Sequence, residues 1–236
     1  MGRLFAAVQF LTVIPAPSGG APGRGAIFFP MVGGVVGLAA GAVRVYAPLP
    51  ASIAALLALI VLVAITGALH EDGLADVADA FRAGRSPERI VAILKDSRIG
   101  TYGAVALVLT LLLRWQAIEH LDAAAIPALF AAGAASRGSM VVLAAVSRPL
   151  GEGLGKAFRA ELRTPDVVLA AIESAGVPFV GGVAVGAVAL GANALAIVGA
   201  RAWFHRRAGG VNGDCLGAMC QVSEMVTMMA FLCRFF

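Results

Sequence analysis

Charged side chains are scarce: 14% of the 236 residues are Asp, Glu, Lys or Arg, against 60% apolar, and mean hydropathy is +0.90. An ordinary soluble domain runs nearer a quarter charged and half apolar, so that class is excluded. Intrinsic disorder, which needs low hydrophobicity, goes with it. Cysteine is scarcer still. Cys215, Cys220 and Cys233 are odd in number and make no C-x-x-C pair, which excludes a disulfide scaffold and a zinc site and leaves reduced packing residues. His120 and His205 have no second histidine near them in sequence, so neither begins a metal site. The net charge of +4 is that of a membrane protein holding its Lys and Arg on one side, and no nucleic-acid partner is expected.

What is present is a series of long apolar runs, at Ile27 to Tyr46, Ser52 to Leu69, Thr101 to Ile118, Ala123 to Ser147, Val167 to Ala200 and Gly217 to Phe236. Runs of this length predict an all-α, polytopic integral membrane helical bundle of about six or seven spans, forming one domain over 1–236. The run from Val167 to Ala200 is too long for one untilted helix and contains Gly176, Pro178, Gly181 and Gly182. Basic residues fill the long connections (Arg82, Arg85, Arg89, Lys95 and Arg98; Arg148, Lys156, Arg159 and Arg163; Arg201, Arg206 and Arg207). The turns at Ala47 to Pro50 and Glu119 to Asp122 have none. The long loops are therefore expected in the cytoplasm of a bacterial-type inner membrane, and the Val167 to Ala200 run is expected to fold as a hairpin. Leu4 to Ile14 is too short to span and reads as a helix at the interface or dipping into the bundle. Gly33, Gly37 and Gly41, and again Gly182 and Gly186, have the G-x-x-x-G spacing that lets helices approach closely.

The densest chemistry is His70 to Phe81, HEDGLADVADAF, with four of the chain's 14 acids. On a helix Asp72, Asp76 and Asp79 fall at i, i+4 and i+7 on one face, with Glu71 beside them. Like charges at that spacing repel, and a divalent cation relieves them; magnesium is held by one or two carboxylates with waters and phosphates. Five bases follow, segregated from the acids, where a merely solvated helix face would interleave them. Two further polar islands, KDSRIGTYG at Lys95 to Gly103 and GGVNGDCLGA at Gly209 to Ala218, stand at span ends and read either as helix caps or as parts of the same site. Within the spans, Arg44 and Arg114 are placed to snorkel from near the ends, while Arg137 and Glu224 are better placed to face a polar cavity.

These blocks resemble the cobalamin synthase family, whose members are adenosylcobinamide-GDP ribazoletransferases. The likeness runs nearly end to end: AVQFLTVIPAP at Ala7 to Pro17, HEDGLADVADAF, KDSRIGTYGAVALVL at Lys95 to Leu109, AASRGSMV at Ala134 to Val141, and GGVNGDCLGA. Three positions depart from the family pattern. Val77 and Ala80 stand where a threonine and a glycine are usual, and Asn212 replaces the threonine of the last block; the carboxylates are all retained.

The resemblance implies attack by the hydroxyl of α-ribazole, or of α-ribazole 5′-phosphate, on the phosphoryl group that joins GMP to cobinamide. GMP leaves, and adenosylcobalamin or its 5′-phosphate forms. Mg2+ is the implied cofactor. The implied roles are Asp72 and Asp76 as first metal ligands, Asp79 as ligand or general base, and Glu71 as ligand or orienting group. Lys95, Arg98 and Arg137 would neutralise phosphates, and Asp96 and Asp214 would complete the metal sphere or hold those cations. Membrane lipid is an expected partner, and assembly as a homo-oligomer is open. Two other readings are a CDP-alcohol phosphotransferase and a cation-coupled transporter. The first fails on spacing, because Asp76 follows Ala75 where that family has an arginine. The second would set Glu173 and Glu224 at the bilayer midplane, whereas the acids here gather at a helix end.

Overall fold

The computed structural model describes residues 1–84, 86–96 and 98–233. Arg85 of the basic connection, Ser97 of the first polar island and the last three residues of the expected final span lie outside the described residues. Eleven α-helices are described: α1 (Gly2–Leu11), α2 (Phe29–Tyr46), α3 (Ala51–Thr66), α4 (Leu69–Ala83), α5 (Pro87–Ile93), α6 (Thr101–His120), α7 (Ala125–Val146), α8 (Leu154–Ala160), α9 (Thr164–Gly176), α10 (Val183–Ala208) and α11 (Gly213–Leu232). Among the described residues extended pairing is limited to one isolated bridge, Pro149 to Val211.

By length and composition five segments can cross a membrane: Pro22–Tyr46, Thr101–His120, Asp122–Val146, Val183–Ala208 and Gly213–Leu232. The pair α3 and α4, bent by 87°, makes a sixth. We read α3 as its crossing arm and α4 as lying across the end of the bundle, because five of α4's fifteen residues are charged. The bend has a local cause. Gly67 and Ala68 both adopt left-handed dihedrals, at φ 60° and 58°. Their amides close back on the Ala64 and Val63 carbonyls, and Val13 N–H takes the Ile65 carbonyl. The last turn of α3 thus ends with its backbone satisfied and the chain redirected.

Helix α7 is the axis of the bundle and is buried along nearly its whole length. Its tightest partner is α2, through the expected glycine stripe. A Cβ at Gly33 would strike the Gly133 carbonyl oxygen, one at Gly37 the Leu129 carbonyl oxygen, and one at Gly41 would lie 2.8 Å from Ile126 Cα. Only glycine permits this backbone approach. Gly37→Ala should therefore destabilise the protein by about 1–3 kcal/mol through overpacking against backbone that cannot yield. Thermal unfolding in detergent reads this, and a melting temperature equal to wild type would refute it.

The second glycine pair serves differently. Gly182 takes φ 100° immediately before α10, and Gly186 seats the Phe179 ring rather than a neighbouring helix. The Val167 to Ala200 run is divided by the structure into α9, a 3-10 turn at Val177–Gly181 and the first part of α10, with α9 packed chiefly on α7. At 13 residues α9 is about 20 Å long and does not cross alone. Helix α1 packs into the bundle on Ala6, Ala7 and Leu11, and Phe10 joins Phe29 and Phe158 in a cluster of three mutually contacting rings, centroids 5.2 to 5.8 Å apart.

Candidate active site

The amphipathic α4 meets α11 at Gly73 and Gly217. A Cβ on Gly73 would come within 2.9 Å of the Asp214 carbonyl oxygen and 3.2 Å of Gly217 Cα. Bare backbones let the helices close, and that approach carries Asp72 of D-G-L-A-D to Asp214 of the last polar island. Both acids line one cavity of about 300 Å³, together with His70, Lys95, Glu152 and Asn212. Phe10, Met140 and Leu216 supply an apolar part of the wall.

Asn212 holds this corner in place. Its Oδ1 accepts the Cys215 N–H at 3.1 Å and so caps α11, while its Nδ2 donates to Asp214 Oδ2 at 2.6 Å. A threonine would have to accept the cap N–H and donate to the carboxylate through one hydroxyl oxygen, whereas asparagine divides the two bonds between Oδ1 and Nδ2. One turn along α4, Asp76 is half-buried, and its carboxyl is pushed up to about 6 by burial and by the charges of Asp214, Asp72 and Asp79. Burial is the largest cause of that shift, and the three neighbouring carboxylates add to it.

The four carboxylates expected to bind metal are divided by the structure. Glu71 faces away from the cavity into the bundle, where its Oε1 accepts from Arg114 Nη1 at 2.6 Å and Gln221 Nε2 at 3.0 Å. Neighbouring residues project 100° apart on a helix, and here Glu71 turns into the bundle while Asp72 lines the cavity. Asp79 is also committed: its two oxygens accept the N–H groups of Gly100 at 2.7 Å and Gly103 at 3.0 Å, tying down the first turn of α6. A side chain at either glycine would collide with that carboxylate, which accounts for both glycines of the K-D-S-R-I-G-T-Y-G block. Asp79 thus caps the first turn of α6 from a neighbouring helix, which fixes its orientation and occupies one acceptor site on each of its oxygens. Among the described residues, no three His, Cys, Asp or Glu side chains converge as a ready-made metal site. Asp72 and Asp214 on the cavity, with Asp76 beside them, are the carboxylates left facing one another.

Two of the three expected phosphate contacts are likewise placed elsewhere. Arg98 and Asp96 pair with each other at 2.7 Å outside the cavity, and Arg98 is 86% exposed. That pairing holds the Asp96 carboxyl down to about 2. Arg137 is buried among small residues of α7 and bonds Glu224 and Ser136 Oγ, so it does not reach the cavity. Lys95 is the expected cation that does.

Arg114 does not snorkel. It is 1% exposed, and its guanidinium joins Glu71 Oε1 and Glu224 Oε1, each at 2.6 Å, with Gln221 Oε1 at 3.0 Å. Glu224 in turn binds Arg137. Two acids and two bases from α4, α6, α7 and α11 thus form a neutral buried network directly behind the cavity. Arg44, by contrast, lies at the far end of the bundle as expected, bonded to the Ile118 and Glu119 carbonyls. Sequence reasoning missed Glu152 and Gln221. The spacing of Gly151, Gly153 and Gly155 around Glu152 is the signal that was available: the first two take positive φ, and Gly155 packs on the Asn212 and Gly213 backbone.

Comparison with known proteins agrees with this geometry. The profile of the family described as Cobalamin-5-phosphate synthase matches residues 3–232. A protein of Geotalea daltonii named adenosylcobinamide-GDP ribazoletransferase is 37% identical over 243 residues, covering 97% of this chain and 96% of the relative. Proteins of the same name from Ralstonia nicotianae and Mesorhizobium japonicum are 40% and 41% identical, covering 97% and 93% of this chain and 94% and 88% of theirs. No solved structure matches the chain.

Proposed function

The chain belongs to the cobalamin-5-phosphate synthase family, and we propose that it acts as an adenosylcobinamide-GDP ribazoletransferase at the cytoplasmic face of a bacterial-type inner membrane. The hydroxyl oxygen of α-ribazole, or of its 5′-phosphate, forms a bond to the phosphorus attached to cobinamide. The bond from that phosphorus to GMP breaks, and GMP departs with the electron pair. The observation that carries this reading is Asp72 on α4 and Asp214 on α11 lining one cavity with Lys95.

Phosphoryl transfer asks a protein mainly for position and charge. The acid pair fits magnesium, which needs only one or two carboxylates when phosphates and water complete its sphere, and the share of Asp76's raised pKa that comes from neighbouring carboxylates marks the unneutralised charge it would meet. Magnesium held by Asp72 and Asp214 would supply Lewis-acid neutralisation of the diphosphate oxygens. Lys95 lies on the same cavity and donates to phosphate oxygens as charge develops on the leaving group. Asp76, with a carboxyl near 6, is suited to take the proton of the attacking hydroxyl, a role the family resemblance implied for Asp79. Asn212 orients Asp214, and the apolar wall of Phe10, Met140 and Leu216 limits water around the reacting atoms.

Protein reconstituted in liposomes, given adenosylcobinamide-GDP and α-ribazole 5′-phosphate, should release GMP with magnesium and stop on chelation. Lys95→Ala should lower kcat about 10²-fold with folding intact. GMP release that persists in chelator would remove the metal from the reading. A folded wild-type protein that forms no product would remove the activity itself.

A further inference from the structure

On the molecule there is a second polar cavity, of about 210 Å³, lined by Arg3, Arg24, Arg163 and Asp166; none of these lines the first. Its three guanidinium groups come from three segments: the first turn of α1, the 3-10 turn at Pro22–Phe28, and the N-cap of α9. Two are fixed before anything binds. Arg3 pairs with the buried Asp166 at 2.5 Å and donates its Nε–H to the Arg24 carbonyl at 2.7 Å, and Arg24 pairs with Glu161 at 3.0 Å. Arg163 is exposed and has no ion pair among the described residues. Three cations against two acids leave the cavity with a net positive charge and with guanidinium N–H groups to spare.

From this cavity α9 runs on with an outward apolar stripe. Val168, Leu169 and Ile172 are 49%, 44% and 62% exposed, at the spacing of one helix face. A preorganised cationic pocket continuous with an exposed apolar stripe is complementary to an amphiphile with an anionic head. We propose that Arg3, Arg24 and Arg163 bind the phosphate of an anionic phospholipid, with an acyl chain lying along α9. Arginine suits this role because its planar fork bonds phosphate oxygens in pairs. The stripe selects a lipid phosphodiester over free phosphate, which would use the pocket alone.

The test is native mass spectrometry of the delipidated full chain in neutral detergent, titrated with phosphatidylglycerol or phosphatidylcholine, with inorganic phosphate as competitor. Wild type should prefer phosphatidylglycerol about tenfold, and Arg163→Gln should reduce that preference about fivefold. Millimolar inorganic phosphate should not displace the lipid, and Arg163→Gln should leave transferase turnover in detergent unchanged. Equal binding of the two lipids by wild type, or full preference kept by Arg163→Gln, would overturn the site. Displacement by inorganic phosphate would overturn the lipid as its occupant.

Discussion

Asp72→Asn lowers turnover about 10²- to 10³-fold and leaves thermal stability equal to wild type or above it. The two halves of this expectation have separate causes. Asp72 is exposed to the cavity, and among the described residues no hydrogen bond or ion pair engages its side chain, so replacing it removes no structural contact. It stands among Asp76 and Asp214, each of which it repels. Neutralising it relaxes that repulsion while taking away a carboxylate that would hold the metal. Asp214→Asn should lose activity to a similar degree. A fall in activity through misfolding would appear as a lower melting temperature. Turnover within threefold of wild type in a folded Asp72→Asn protein would sink the assignment.

The second large effect is on stability. Arg114→Met should destabilise the protein by about 3–5 kcal/mol, because it leaves Glu71 and Glu224 buried with only Arg137 to balance them. The network itself suggests the rescue. In the double variant Arg114→Met with Glu71→Gln, one acid and one base remain, and these are the paired Glu224 and Arg137. More than half the lost stability should return, read by thermal scanning in detergent as a double-mutant cycle. If the double variant were no more stable than Arg114→Met alone, the network would owe its stability to hydrogen-bond geometry and not to charge balance.

Much of this architecture was legible in the chain. Apolar runs gave the spans, and Gly33, Gly37 and Gly41 gave the α2 to α7 contact, because both follow from local spacing. The i, i+4, i+7 pattern placed Asp72 and Asp76 on a common face, and the polar island before α11 marked Asp214 as their partner. What the sequence could not give was the destination of residues whose partners are remote. Glu71 looks like a fourth ligand until α6 and α11 are packed behind it. Asp79 shows no structural duty until Gly100 and Gly103 present their amides to it. Arg114 sits near a span's predicted end, and only the bundle shows its guanidinium turned inward to Glu71, Gln221 and Glu224. Arg98, read as a phosphate contact, is taken up by its own neighbour Asp96.

The buried network also sets an order of assembly during synthesis. Glu71 precedes Arg114 by 43 residues, so this first pair can form as soon as α6 enters the bilayer. Arg137 must wait 87 residues for Glu224, and Glu71 must wait 150 for Gln221. At roughly 5–20 residues per second, an unpaired arginine is held in or near the lipid for several seconds. During that interval a partly inserted chain is distinguishable from a finished one, and a membrane protease or insertase that senses exposed charge has something to read. The arrival of α11 removes that signal and delivers Asp214 to Asp72 in the same step. A chain that stops short of α11 therefore leaves Arg137 without the Glu224 carboxylate and Asp72 without Asp214 across the cavity.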